Sequence, residues 1–170
     1  MTVKYLTDIK EFLERNVAPK ISLRGIADKD DTTCLMVSPH VTVGLPITFD
    51  TPTCVRDKIP GIVVGLAAPI EYSQEIAQIP VELAVVAYCP GTQDDFGLTY
   101  DNTGFWDVCN LSDLIVRELF AADTIGGLYL SDRVVQCRPD NEQYGDYWMG
   151  SVTFTVKAHG VPELRQRELL

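Results

Sequence analysis

Residues 101–157 read DNTGFWDVCNLSDLIVRELFAADTIGGLYLSDRVVQCRPDNEQYGDYWMGSVTFTVK, and their pattern decides the fold. Val108, Leu111, Leu114, Ile115 and Leu119 recur at helical spacing, which gives one apolar stripe on a helix. Asp101, Asn102 or Thr103 is placed to cap its start, and Asp107 is expected in its first turn, where the helix dipole favours negative charge. The helix is expected to stop near Ala122, because Gly126-Gly127 cannot sustain it. A strand is expected from Leu128 to Cys137, and Pro139 to Asp146 reads as a polar turn. In the closing strand Trp148, Gly150, Val152, Phe154 and Val156 alternate with Met149, Ser151, Thr153, Thr155 and Lys157. The stretch reads as a helix laid on one face of a hairpin whose other face meets water or a partner.

Outward from that stretch, residues 5–17 (YLTDIKEFLERNV) form a first amphipathic helix. Leu6, Ile9, Leu13 and Val17 make its stripe, with Phe12 at the flank and Glu11 four residues before Arg15. Pro19 ends it. Residues 20–25 read as a short edge strand and Thr32 to Val37 as another. From Ser38 to Pro60 the chain is punctuated by Pro39, Gly44, Pro46, Pro52 and Pro60. Val41, Val43, Leu45, Ile47 and Phe49 alternate within it, either as an arm reaching a neighbour or as a loop folded on its own domain. Gly61 to Tyr72 is a strand or a pair of short ones. Pro80 to Cys89 is a strand buried on Val81, Leu83, Val85 and Ala87, with Val86 and Tyr88 opposite, so it is central or covered on both faces. Gly91 to Gly97 turns the chain.

The order helix, strands, helix, strands predicts an α+β fold: a mainly antiparallel β-sheet with two α-helices packed on one face. A chain of 170 residues is expected to form a single domain over 1–170, with the long arm at about 38–60 and a loose C-terminal tail at about 159–170. The net charge of −10 argues against a nucleic-acid-binding surface, which carries a basic patch or stripe. Cys34, Cys54, Cys89, Cys109 and Cys137 show no C-x-x-C spacing, and an odd count without a leader points to free thiols in a reducing compartment. Met1-Thr2-Val3-Lys4-Tyr5 is not a basic-then-apolar leader, and no run approaches the roughly 18 apolar residues of a membrane span. The expected compartment is the cytoplasm, and no membrane partner is expected.

Neither G-x-x-x-x-G-K-[ST] nor G-x-G-x-x-G is present, and H-E-x-x-H is missing. Asp28-Lys29-Asp30-Asp31 fails as a calcium loop, since the positions that need Gly and Glu hold Thr33 and Pro39. His40 and His159 make a poor metal set and read as structural or exposed. The sharpest catalytic alternative is a Cys-His hydrolase with Cys109 near a helix N-terminus and His40 or His159 as base. Asp107 and Asp113 flank Cys109 and disfavour its thiolate, and its place between Val108 and Leu111 also suits core packing. Gly126-Gly127 precedes a strand rather than a helix and is no phosphate cradle. Trp106 and the Tyr144, Tyr147, Trp148 cluster read as a binding platform or, the favoured reading, as ordinary core and interface anchors. No catalytic, cofactor-binding or metal residue is assigned, and enzyme activity is not expected.

With these residues in this order, the chain resembles the tail terminator (tail completion) proteins of long-tailed bacteriophages. The resemblance rests on the helix Asn110-Leu111-x-x-Leu114-Ile115-x-x-x-Leu119, the Gly126-Gly127 link into a strand, and Tyr147-Trp148-x-Gly150 leading into a strand of alternating Val, Thr and Phe. It covers about the last 70 residues well and the first 100 in layout only, and the Pro-punctuated loop matches nothing in it. The resemblance implies a structural virion protein forming a hexameric ring on the head-proximal end of the tail tube. Such a ring ends tube polymerisation and offers the surface for head joining. Its implied partners are tail tube protein on one face and a head-completion or neck connector protein on the other, with DNA passing through the lumen without sequence-specific binding. Assembly in the host cytoplasm is implied. A head-completion or neck connector protein, or the tube subunit itself, is the alternative. The sheet around residues 148–158 and the loop Ser38 to Pro60 are expected near subunit contacts.

Overall fold

The computed structural model describes residues 2–26, 35–44, 58–73, 75–94, 96–99 and 101–159. The turn at 28–31, most of the expected arm (45–57) and the tail from 160 onward lie outside the described residues.

Helix α1 (Thr2–Asn16) begins three residues before the sequence expectation and buries Tyr5, Ile9 and Leu13 on one face. Its outer face carries i,i+4 ion pairs: Lys4 with Asp8, Lys10 with Glu14 at 2.6 Å and Arg15 with Glu11 at 2.6 Å. Pro19 ends it in a 3-10 turn at Ala18–Lys20. Strands β1 (Leu23–Arg24) and β2 (Met36–Val37) form a small antiparallel pair.

The main sheet contains β3 (His40–Val43), β4 (Gly61–Leu66), β5 (Glu71–Tyr72), β6 (Ile76–Tyr88), β9 (Tyr129–Pro139) and β10 (Tyr147–His159). Its order is β3-β4-β6-β10-β9, with β5 paired to β6 below the end of β4. All pairings are antiparallel except β3 with β4. His40–Val43, the start of the stretch expected as an arm reaching a neighbour or a loop folded on its own domain, is instead an edge strand of the sheet, with Val41 only 6% exposed. Four residues between Pro39 and Gly44 suffice because β4 supplies a ready partner ladder.

The hairpin β7 (Thr92–Asp94) and β8 (Gly97–Thr99) stands where a simple turn was expected. Helix α2 (Thr103–Ala121) then runs back over the sheet, and Asp101 Oδ1 accepts the Thr103 N–H at 2.9 Å at its start. Because the helix begins at Thr103, Asp107 is its fifth residue and lies past the first turn, which holds no acid. After Ala122 the chain reverses through Gly126 (φ 62°) and Gly127 (φ 85°), with Ile125 and Leu128 exchanging backbone hydrogen bonds of 2.8 and 3.1 Å. Two successive left-handed residues make this turn, and that backbone is what glycine supplies cheaply.

Both helices sit on one face of the sheet, as the sequence predicts. Cross-strand rows on that face include Gly150–Val85–Ile62–Val41 and Val152–Leu83–Val64–Val43. They join Ile9 and Leu13 of α1 and Val108, Leu111, Ile115 and Leu119 of α2 in one continuous core. Strand β10 buries every second residue from Trp148 to Ala158, as its alternation requires. Each fully buried aliphatic side chain there stabilises the fold by about 1.5–3 kcal/mol. Strand β6 lies between β4 and β10, and on the face away from the helices its Val86 is fully buried as well.

Strand β9 is less regular than its sequence suggests. Phe154 pairs with Val135 and Val156 with Leu130, so Thr155 opposes four residues, Ser131 to Val134. Val135 and Leu130 are an odd number of residues apart, yet both pack against the core. Asp132 (φ 54°) and Arg133 (φ 50°) take left-handed backbone between them and return Leu130 to the inner face.

Candidate interaction surfaces

The helix and the closing strand of the sequence signature pack against each other, with Leu111, Leu114, Ile115, Leu119 and Trp148 in one core. Where Gly104 begins α2, a Cβ would lie 2.3 Å from Trp148 Cδ1 and 2.7 Å from Cys89 Cβ. At Gly150 a Cβ would lie 2.8 Å from Val108 Cγ1. The helix therefore descends onto the hairpin at two positions where no side chain fits. Phe105 meets the Trp148 ring edge-on at 5.6 Å and Trp106 at 5.4 Å, so three aromatics step outward from core to surface. Trp148 is 8% exposed, and its Nε1 has no hydrogen-bond partner among the described residues.

The sheet face turned away from the helices is the first candidate surface. Its accessible rows are Ser151–Ala84–Val63–Thr42 and Thr153–Glu82–Gly65, while in the row Met149–Val86–Gly61–His40 Val86 and Gly61 are buried. Hydroxyl and small apolar side chains dominate it. Strand β10 has β6 on one side and β9 on the other, so its backbone bonds are made within the sheet. Any partner meeting residues 147–159 does so through side chains of this face. Beside the β9 irregularity an open cleft of about 240 Å³ is lined by Ala67, Pro80, Asp132, Gln136, Thr153 and Thr155.

The outward face of α2 is the second. Trp106 is 59% exposed there, with Asn110, Asp113 and Arg117 exposed along the same side. The backbone around Cys89 ties two neighbouring segments to the start of this helix. Its N–H donates to Asp146 O at 2.8 Å, its carbonyl accepts from Gln143 Nε2 at 2.8 Å, and its thiol donates to Asp101 Oδ1 at 3.2 Å. The hydrogen bonds from Thr103 and then Cys89 hold the Asp101 carboxyl below its ordinary range. Burial, then the charge of Asp101, pushes Asp107 above it.

The catalytic alternative is not assembled. Cys109 is half-buried on the helix side of the sheet, and burial followed by Asp113 pushes its thiol up rather than down. His40 belongs to the Met149–Val86–Gly61 row, on the face opposite α2. His159 ends β10, nine residues from Gly150 and roughly 30 Å along the strand at about 3.3 Å per residue. Neither histidine reaches Cys109. Burial raises Cys89 and Cys137 as well. Among the described residues no group of three or more His, Cys, Asp or Glu is arranged to hold a metal ion, and no helix is long and apolar enough to cross a membrane.

Sequence reasoning named Trp106 and Trp148 as anchors but missed why glycines stand at 104 and 150. The close approach of two elements distant in the chain leaves no local mark beyond the glycine itself. Compared with known proteins, the chain matches no family model, and no curated protein matches it.

Proposed function

We propose that this chain is a structural virion protein similar to phage tail terminators, closing into a ring that caps the head-proximal end of the tail tube. The supporting observation is that the signature helix packs on the signature hairpin: Leu111, Leu114, Ile115 and Leu119 share one core with Trp148, and Gly104 and Val108, just ahead of the helix motif, lie against Trp148 and Gly150. This reading therefore draws on a helix and a hairpin that are packed against each other. The reading assigns function to surfaces, with no chemical turnover. The helix-free face around β10 is the proposed region of subunit contact, and the two ends of the subunit serve tube protein and neck connector. DNA passes through the ring without sequence-specific contacts, in keeping with the net charge of −10.

Native mass spectrometry with negative-stain images of the same samples tests this. A discrete ring that does not lengthen with concentration is the expected result, with hexamers following from the resemblance. Long tubes would assign the chain to the tube subunit instead. A monomer that fails to cap purified tail tubes would overturn the reading.

A further inference from the structure

We propose that the outward face of α2 around Trp106 is a docking surface for a different protein, one presenting Lys and Arg side chains around an apolar pocket that receives the indole. This rests on the reading above, in which one end of the subunit meets a non-identical partner.

Trp106 is a large apolar side chain left 59% exposed, yet it is held in place. Its ring abuts Phe105, and Phe105 abuts the buried Trp148. An indole ordered before binding loses little conformational freedom on docking, and tryptophan is among the side chains that dominate interface energies.

Charge around it is mainly negative. Asp101, Asp107 and Asp113 at and along α2, with Asp140, Glu142 and Asp146 after β9, outnumber the cations Arg117 on the same side of α2 and Arg138 near the end of β9. The Cys89 hydrogen bonds to Asp101, Gln143 and Asp146 hold these segments together at one end of the sheet. Arg24 is the cation that acts on Asp101. Among the described residues Asp107 and Asp113 have no ion-pair partner. Charge complementarity thus selects a basic partner.

A second copy of this chain complements the face poorly. The copy carries −10 overall, and the cations of its helix α1, Lys4, Lys10 and Arg15, are already paired with Asp8, Glu14 and Glu11 of the same helix. Lys20 is paired with Glu118 at 2.7 Å. A nucleic acid would be repelled.

The probe is a short peptide with Lys and Arg flanking a Leu-Met centre, compared by calorimetry with a matched peptide carrying Glu in place of the cations. The basic peptide is expected to bind and the acidic one not. Trp106→Ala and, separately, Asp101→Asn with Asp107→Asn are expected to weaken binding at least about tenfold. Glu71→Gln with Glu75→Gln, at the far end of β6, is expected to leave it unchanged. No binding, or equal loss in the Glu71/Glu75 variant, would overturn the proposal by reducing it to general charge attraction. Native mass spectrometry of Trp106→Ala separates this from the ring reading. A ring that persists is expected, whereas its loss would place Trp106 at the subunit contact and overturn the docking assignment.

Discussion

Gly150 lies directly beneath Val108: a Cβ on Gly150 would stand 2.8 Å from Val108 Cγ1, 3.1 Å from Pro139 Cα and 3.2 Å from the Arg138 carbonyl oxygen. Two of these three neighbours are backbone of β9, so the added methyl cannot be accommodated by a rotamer change alone. Gly150→Ala is expected to destabilise the fold by about 1–3 kcal/mol, the usual cost of overpacking a filled core. Thermal or urea unfolding measures it. Gly150→Ala combined with Val108→Ala should recover part of that loss, which a purely local backbone effect would not allow.

The glycine pair after α2 provides an internal comparison. Both residues have positive φ, but a Cβ on Gly127 meets nothing within 4 Å, whereas one on Gly126 meets Asp8 Cβ at 2.6 Å and Asp8 O at 2.9 Å. Gly127→Ala is expected to cost about 1–2 kcal/mol for the left-handed backbone alone. Gly126→Ala should cost clearly more, because helix α1 must also move away. Equal losses in the two variants would contradict this docking of the turn onto α1.

Asp101 and Asp107 should respond to pH with opposite signs. The carboxyl of Asp101 is lowered in the folded chain, so its contribution is present at neutral pH and lost as pH falls through the folded value. Asp101→Ala is therefore expected to destabilise at pH 7, by about 1 kcal/mol for the lost contact with the Thr103 N–H. Asp107 is raised by burial and by Asp101, so the folded chain binds its proton more tightly, and stability declines as pH rises from the unfolded value through the folded one. Asp107→Asn should raise the melting temperature at pH 7 and change it little near pH ~3, where both states carry the proton. Melting curves of both variants across this range are the check.

Thiol labelling should follow exposure and show no activated cysteine. Cys137 is exposed, Cys109 half-buried and Cys89 only 1% exposed, and all three thiols are raised. Peptide mapping after alkylation near pH 7 is expected to give slow modification in the order Cys137, Cys109, Cys89, with equalised rates in urea. Rapid, selective reaction at Cys109 would revive the hydrolase alternative.

Much of this fold was legible because its longest elements are strongly periodic. The alternation from Trp148 to Lys157, the stripe from Val108 to Leu119 and the doubly apolar β6 each carry enough repeats to fix the face they bury. Short elements were harder to read. His40–Val43 carries β-branched Val41, Thr42 and Val43, but four residues between Pro39 and Gly44 are too few for alternation to tell a sheet strand from an extended arm until the pairing with β4 is seen. The irregularity in β9 was hidden for another reason: left-handed backbone falls on Asp132 and Arg133, where no glycine announces it. For the candidate surfaces, sequence identified Trp106 as an anchor type, but only the folded chain joins it to Phe105 and Trp148. The acids of residues 139–147 reach its neighbourhood through contacts with Cys89, 54 positions from Gln143.

The most direct measurement is native mass spectrometry of the purified chain over a concentration series, with electron micrographs of the same samples and of samples mixed with purified tail tubes. A single closed ring that never lengthens, found at one end of each tube, is the predicted result. Open-ended tubes built from this chain, or tubes left uncapped at every concentration, would contradict it.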